Sequence, residues 1–154
     1  MKIKNNLADN IMEVICLILM VGIVLYLILV WNKLPDKIPA HYDWAGNVDR
    51  WGSKGELLIL PIMTWIMYGF ISVVELFPKA WNTGVKVTEE NQVRVYRVIK
   101  YMVKSLKLIV VLDFSYMTIN SVMGSNLPVW FLPVFLGLTF GDLIFWLVKL
   151  VRIK

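Results

Sequence analysis

Apolar residues fall into four long blocks along this chain, at 11–31, 57–77, 108–123 and 127–148, each closed by charged or turn-forming residues. Roughly 20 apolar residues in helical form cross a hydrocarbon core about 30 Å thick, so each block predicts a membrane-spanning helix. The third block is short. Upstream of it, Thr88 is placed to cap free amides, and Glu89 and Glu90 favour the positive end of a helix dipole. The third helix is therefore expected to run over 88–123, with an amphipathic cytoplasmic approach to the bilayer. The expected fold is an all-α integral membrane protein: one membrane domain over 1–154, a four-helix bundle with an outer loop at 32–56. After the first block, Trp31-Asn32-Lys33-Leu34-Pro35 has no small-residue cleavage pattern, so that helix is expected to be a retained anchor rather than a signal peptide.

The loop between the first two blocks reads NKLPDKIPAHYDWAGNVDRWGSKGE. Pro35 and Pro39 fix their own φ and bias Leu34 and Ile38 to extended backbone, which stiffens the exit from the first helix. Alternation in His41-Tyr42-Asp43-Trp44 and Val48-Asp49-Arg50-Trp51 predicts a short β-hairpin turned at Gly46-Asn47. Ser53 and Glu56 have capping-box spacing before the second apolar helix. His41, Asp43 and Asp49 carry ligand chemistry, and two-residue spacing puts His41 and Asp43 on one strand face. Three readings stand for them: metal ligation, recognition of an external peptide or lipid headgroup, or a loop in which Asp49 caps amides and His41 packs on Trp44 or Trp51.

Leu34-Pro35, Ile38-Pro39, His41, Gly46, Asp49, Trp51 and Lys54, at these spacings, resemble the motif of a bacterial membrane family known as domain of unknown function 1648. The resemblance covers the loop and parts of its flanking helices. Some members form the amino-terminal module of immunity proteins that protect against a secreted sporulation-delay toxin and signal by sequestering a cytoplasmic repressor at the membrane. It implies an immunity or sensor role; with the ligand chemistry of Asp43 added, His41, Asp43, Gly46, Asp49, Trp51 and Lys54 are the expected outer ligand-binding set.

Composition agrees with lipid as the solvent: 58% of residues are hydrophobic and 18% charged, against about 25% charged in soluble domains. The net charge of +5 reports topology first. With the amino terminus inside, Lys2, Lys4, Lys79, Lys86, Arg94, Arg97, Lys100, Lys104, Lys107, Lys149, Arg152 and Lys154 are cytoplasmic, leaving Lys33, Lys37, Arg50 and Lys54 outside. Basic residues near helix ends favour the cytoplasm, so both termini are expected there, in a bacterial cell membrane, with the loop and the Gly124-Ser125-Asn126 turn outward. Trp31, Trp51 and Trp130, and at the other face Trp81, Tyr101 and Trp146, fit interfacial belts. No soluble module is present to carry direct nucleic-acid binding. Arg97, Lys100, Lys104 and Lys107 recur at three- and four-residue spacing as a basic stripe, opposite Ile99, Met102, Leu106 and Ile109. The stripe is read either as attraction to anionic headgroups or as a docking face for a cytoplasmic protein.

Glu13, Glu75, Asp113 and Asp142 fall one per span, in the cytoplasmic half of the expected topology. At 1.5 Å per residue, Asp113 lies roughly 9 Å beyond Lys107 and Asp142 roughly 10 Å before Lys149, so their depths are expected to match. Lipid-facing carboxylates are costly. Asp113 and Asp142, with Glu75, are read as a cation or proton site open to the cytoplasm; in the other reading Glu13 and Glu75 reach water near helix ends, and the deeper aspartates pair with Lys104, Lys107 or Lys149 or stay protonated. Asn120 and Ser121 are expected to support helix packing. His41 and Cys16 are the sole histidine and cysteine, and neither a phosphate loop nor a nucleophile–base pair is present, so neither enzyme activity nor a cofactor is expected. The leading expectation is a sensor or immunity-type membrane protein; the alternative is a small cation- or proton-linked transporter or its accessory subunit.

Overall fold

A computed structural model describes residues 3–153; Lys2 and Lys154, counted above among the cytoplasmic bases, lie outside the described residues. Among the described residues, four helices are long and apolar enough to cross a membrane: α1 (Leu7–Val30), α2 (Ile59–Glu75), α3 (Gln92–Met123) and α4 (Phe131–Val151). Between α1 and α2, strands β1 (Lys37–Tyr42) and β2 (Val48–Ser53) form an antiparallel hairpin. The predicted fold class is what the chain adopts, and its outward apolar side chains, such as Leu29, Phe70 and Ile144, are exposed as lipid contact requires.

Helix boundaries differ from the predicted ones for local reasons. α1 starts at Leu7 because the Asn6 side chain accepts the Asp9 amide (3.0 Å) while Asp9 Oδ2 accepts the Asn6 amide (2.9 Å). α2 is preceded by a 3₁₀ turn, Lys54–Leu58, in which the Ser53 amide donates to Glu56 Oε1 at 3.1 Å. The Thr88 cap closes a separate turn instead of opening α3: the Thr88 amide donates to Asn91 Oδ1 (2.8 Å), the Asn91 amide to Thr88 Oγ1 (3.3 Å), and α3 starts at Gln92. Gly124, at φ 69°, ends α3 in the left-handed region that glycine enters without strain. Pro128 restricts Leu127 to extended backbone, so α4 starts at Phe131.

At 1.5 Å per residue α3 is roughly 48 Å long, well beyond a hydrocarbon core. It packs against each of α1, α2 and α4, while α1 and α2 meet only lightly. One end of the bundle carries both described termini, with Val95, Val98, Ile99 and Leu150 as its apolar core. The other end carries the hairpin, where Ile38 joins Ile23, Leu27 and Leu57. Midway, Cys16, Met20 and Val111 close α1 onto α3.

Candidate functional site

The hairpin is a fitted roof. Its turn spans 43–47: the Asp43 amide donates to Asn47 O (2.8 Å) and the Gly46 amide to Asp43 O (3.0 Å). Asp43 Oδ1 also accepts the amides of Ala45 (2.9 Å) and Asn47 (2.8 Å). These bonds, the Asn47 amide above all, stabilise the charged form and hold the Asp43 carboxyl below its ordinary range. Gly46 sits at φ +87°, and a Cβ there would lie 2.6 Å from Leu127 O. That close approach lets Gly46 O accept the Leu127 amide at 2.7 Å, while Asn126 Oδ1 accepts the Val48 amide at 2.9 Å. From β1, the Tyr42 hydroxyl reaches Ser121 Oγ (3.1 Å) and accepts from Asn120 Nδ2 (3.1 Å). Asn120 and Ser121 thus tie the roof to α3.

The six expected outer-loop ligands do not all converge: His41, Asp43 and Gly46 line the cavity described below, and Asp49, Trp51 and Lys54 do not. His41 Nδ1 meets Asp49 Oδ1 at 2.6 Å on the exposed side of the hairpin. Asp43 is diverted into the turn, because register irregularities flank His41 and the alternation that put the two residues on one strand face stops at Tyr42. Trp51 is half exposed, and Lys54 Nζ lies 5.5 Å from the Trp31 ring centre. Among the described residues no three His, Cys, Asp or Glu side chains come together as metal ligands.

Beneath the roof lies a cavity of about 380 Å³, between β1, the turn, the start of α2, and the facing sides of α3 and α4. This is within the usual range of small-ligand pockets, roughly 300–1,000 Å³. Phe114, Met117, Phe131 and Phe135 give it apolar walls, and Asp113 lines it from α3. Asp113 Oδ2 is buried and has no hydrogen-bond partner among the described residues.

A charged layer stands nearer the terminal end. Lys104 and Lys107, each 2% exposed, project from α3 between α1 and α2. Lys104 Nζ is 2.7 Å from Glu13 and 3.2 Å from Glu75; Lys107 Nζ is 3.1 Å from Glu13 and 2.8 Å from Glu75. The Tyr68 hydroxyl donates to Glu13, and Lys107 donates to Ser72 Oγ at 3.2 Å. Below this box, Arg97 pairs with the fully buried Asp9 (2.9 Å), and Lys100, also buried, donates to Ile3 O (2.9 Å).

Two expectations are corrected here. The stripe Arg97, Lys100, Lys104 and Lys107 is not an open docking or headgroup face; its lysines are buried because acids on α1 and α2 draw them inward. Nor do Asp113 and Asp142 share a depth. The Tyr101–Trp146 stack (5.4 Å), the Ser105-to-Asp142 bond (2.8 Å) and the Tyr116–Phe131 stack (5.1 Å) fix the register of α3 against α4. Asp142 therefore stands beside Ser105, with Trp146 Nε1 donating to it at 2.9 Å, and Asp113 is roughly 12 Å further along α3. The expectation took Lys107 and Lys149 as level markers, but Lys107 lies deep in the bundle and Lys149 is at its exposed end. Asp9, Tyr68 and Ser72 were not singled out from the sequence; only the Asn6…Asp9 capping spacing offered a signal, for Asp9.

Four apolar spans around a charged layer, closed at one end by a docked hairpin, define a multi-pass membrane protein. Residues 18–65, from within α1 through the hairpin into α2, match the family described as Domain of unknown function (DUF1648). The match falls on the segment that bears the loop motif. An uncharacterized protein of Archaeoglobus fulgidus is 29% identical, over 70% of this chain and 68% of its own length. No solved structure matches the chain.

Proposed function

We propose that this chain is a non-enzymatic membrane protein that recognises an envelope or peptide ligand at its hairpin end, in a sensor or immunity-type role, and engages a cytoplasmic partner at its terminal end. The observation that carries this reading is the cavity roofed by the family-matched hairpin: the segment that resembles immunity modules is the one that encloses a small-ligand-sized space. The orientation rests on charge. Lys4, Lys79, Lys86, Lys149 and Arg152 are exposed at the terminal end, which favours a cytoplasmic location for both termini. Those bases, rather than the buried stripe, are the ones available to headgroups or a partner protein.

Cells lacking the gene, challenged with a panel of envelope-active peptides, are expected to become more susceptible to one class. Wild-type protein restores resistance, and the His41→Ala or Asp49→Ala variant restores less of it. An unchanged susceptibility profile across the panel would reject the immunity role.

Proton- or cation-linked transport is a second reading, favoured by one observation: Asp113 is an intramembrane carboxylate whose buried oxygen lacks a partner among the described residues. Glu13 and Glu75, engaged by lysines, contribute nothing to that reading. A pH-dependent flux in proteoliposomes, abolished in Asp113→Asn, would select it.

A further inference from the structure

We propose that the cavity beneath the hairpin binds a compact apolar ligand carrying one protonated amine, with the Asp113 carboxylate as its counter-charge. This deepens the recognition reading and rests on it for the location of the site. The first ground is a contrast in partnering. Every other acid within the helices is met by the protein itself: Asp9 by Arg97, Glu13 and Glu75 by Lys104 and Lys107, Asp142 by Ser105 and Trp146. Asp9 Oδ1 and Glu75 Oε1 are also buried without a hydrogen bond, but their carboxyls are ion-paired; Asp113 has a buried, unbonded Oδ2 and, among the described residues, neither an ion pair nor a hydrogen bond. Leaving a buried acceptor unsatisfied is unfavourable, and more so for a charged one.

The second ground is the sign of the lining. Asp43, Glu56 and Asp113 line the cavity together with His41, and no lysine or arginine does. Asp43 is occupied by the turn amides, Glu56 by Arg50 at 2.8 Å, and the Tyr42 hydroxyl by Ser121 and Asn120. His41 Nδ1 is held by Asp49 at 2.6 Å, so the acid left to meet a ligand is Asp113, and the ligand supplies the positive charge. An anionic ligand would face acids with no compensating cation. Aromatic walls from Phe114, Phe131 and Phe135 suit both the apolar body and an ammonium held near ring faces.

The test uses the full chain in lipid nanodiscs and two probes of one shape, phenylbutylamine and phenylbutanol. Binding is read by saturation-transfer NMR against empty nanodiscs. The amine is expected to bind about tenfold more tightly than the alcohol, the difference a charged hydrogen bond supplies. Asp113→Asn brings the amine to the alcohol's affinity and leaves the alcohol unchanged, and Met117→Trp, which fills the cavity, removes both. Equal affinities for the two probes, unaltered in Asp113→Asn, would overturn the amine anchor while leaving the cavity as a binding site. Binding of neither probe, or binding that survives Met117→Trp, would overturn the site itself, while the recognition reading stands or falls on the susceptibility profile.

Discussion

At the terminal end of the bundle, Glu13 and Glu75 reach α3 and are met by Lys104 and Lys107; at the hairpin end, Asp113 of that same helix lines a cavity with an oxygen that nothing among the described residues satisfies. Both settings place carboxylates within membrane helices, where charge is costly. The first set is neutralised by neighbours on three helices and works as a tie. The second has no ion-pair or hydrogen-bond partner among the described residues. Partnering, rather than residue type or depth, separates the structural acids from the one available for recognition.

The sharpest way to break that contrast is to remove one partner from the tie. Lys107→Met should lower stability by about 3–5 kcal/mol, since it strands buried carboxylates, whereas adding Glu75→Gln should recover most of the loss. Denaturing-detergent titration followed by circular dichroism reads both. A double variant as weak as the single one would show that the box does not act as an ion-pair unit.

A smaller effect is expected from the roof. Gly46→Ala forces a Cβ against Leu127 O at a left-handed φ, costing about 1–3 kcal/mol locally. Faster amide exchange at Val48 and Leu127, with exchange in the charged layer unchanged, would mark the roof as separable from the bundle.

Smaller again is the effect of acid on the turn. Because the Asp43 carboxyl is held below its ordinary value of 3.8, its contribution is complete above that value and is lost as pH falls through the lower folded-state value. Amide protection at Ala45 and Asn47 should therefore be flat from neutrality to about 3.8 and drop below it. A drop near neutrality would assign the turn's stability to another group.

The smallest change belongs to Asp113→Asn, which removes a charge without breaking any internal bond. Its stability should stay within about 1 kcal/mol of wild type. A loss comparable to that of Lys107→Met would reveal a partner for Asp113 and erase the contrast.

Much of this architecture was legible in the residue pattern. The four apolar blocks mark the four helices because lipid demands long apolar runs, and the prolines, the alternation at 41–51 and Gly46 mark the hairpin. The charged layer was misread for a physical reason. Helical spacing shows that Arg97, Lys100, Lys104 and Lys107 share a stripe, but only packing decides what the stripe faces, and two of its partners, Glu13 and Glu75, lie on other helices far away in sequence. The depth of Asp113 failed similarly, since it was measured from lysines that occupy different levels. The cavity was not legible at all: it depends on the distance between the hairpin and the α3–α4 face, which Tyr42, Asn126 and Leu127 set through long-range bonds.

The central position of α3 also carries a consequence for biogenesis. As the chain leaves the ribosome, α1 and α2 emerge first with their glutamates, and they contact each other too lightly to shield those groups. Their neutralising lysines are translated only later. The first half of the chain must therefore wait near water or within the insertion machinery until the third helix arrives, and a truncation that ends before Lys104 would leave an orphaned pair of segments for quality-control proteases to remove.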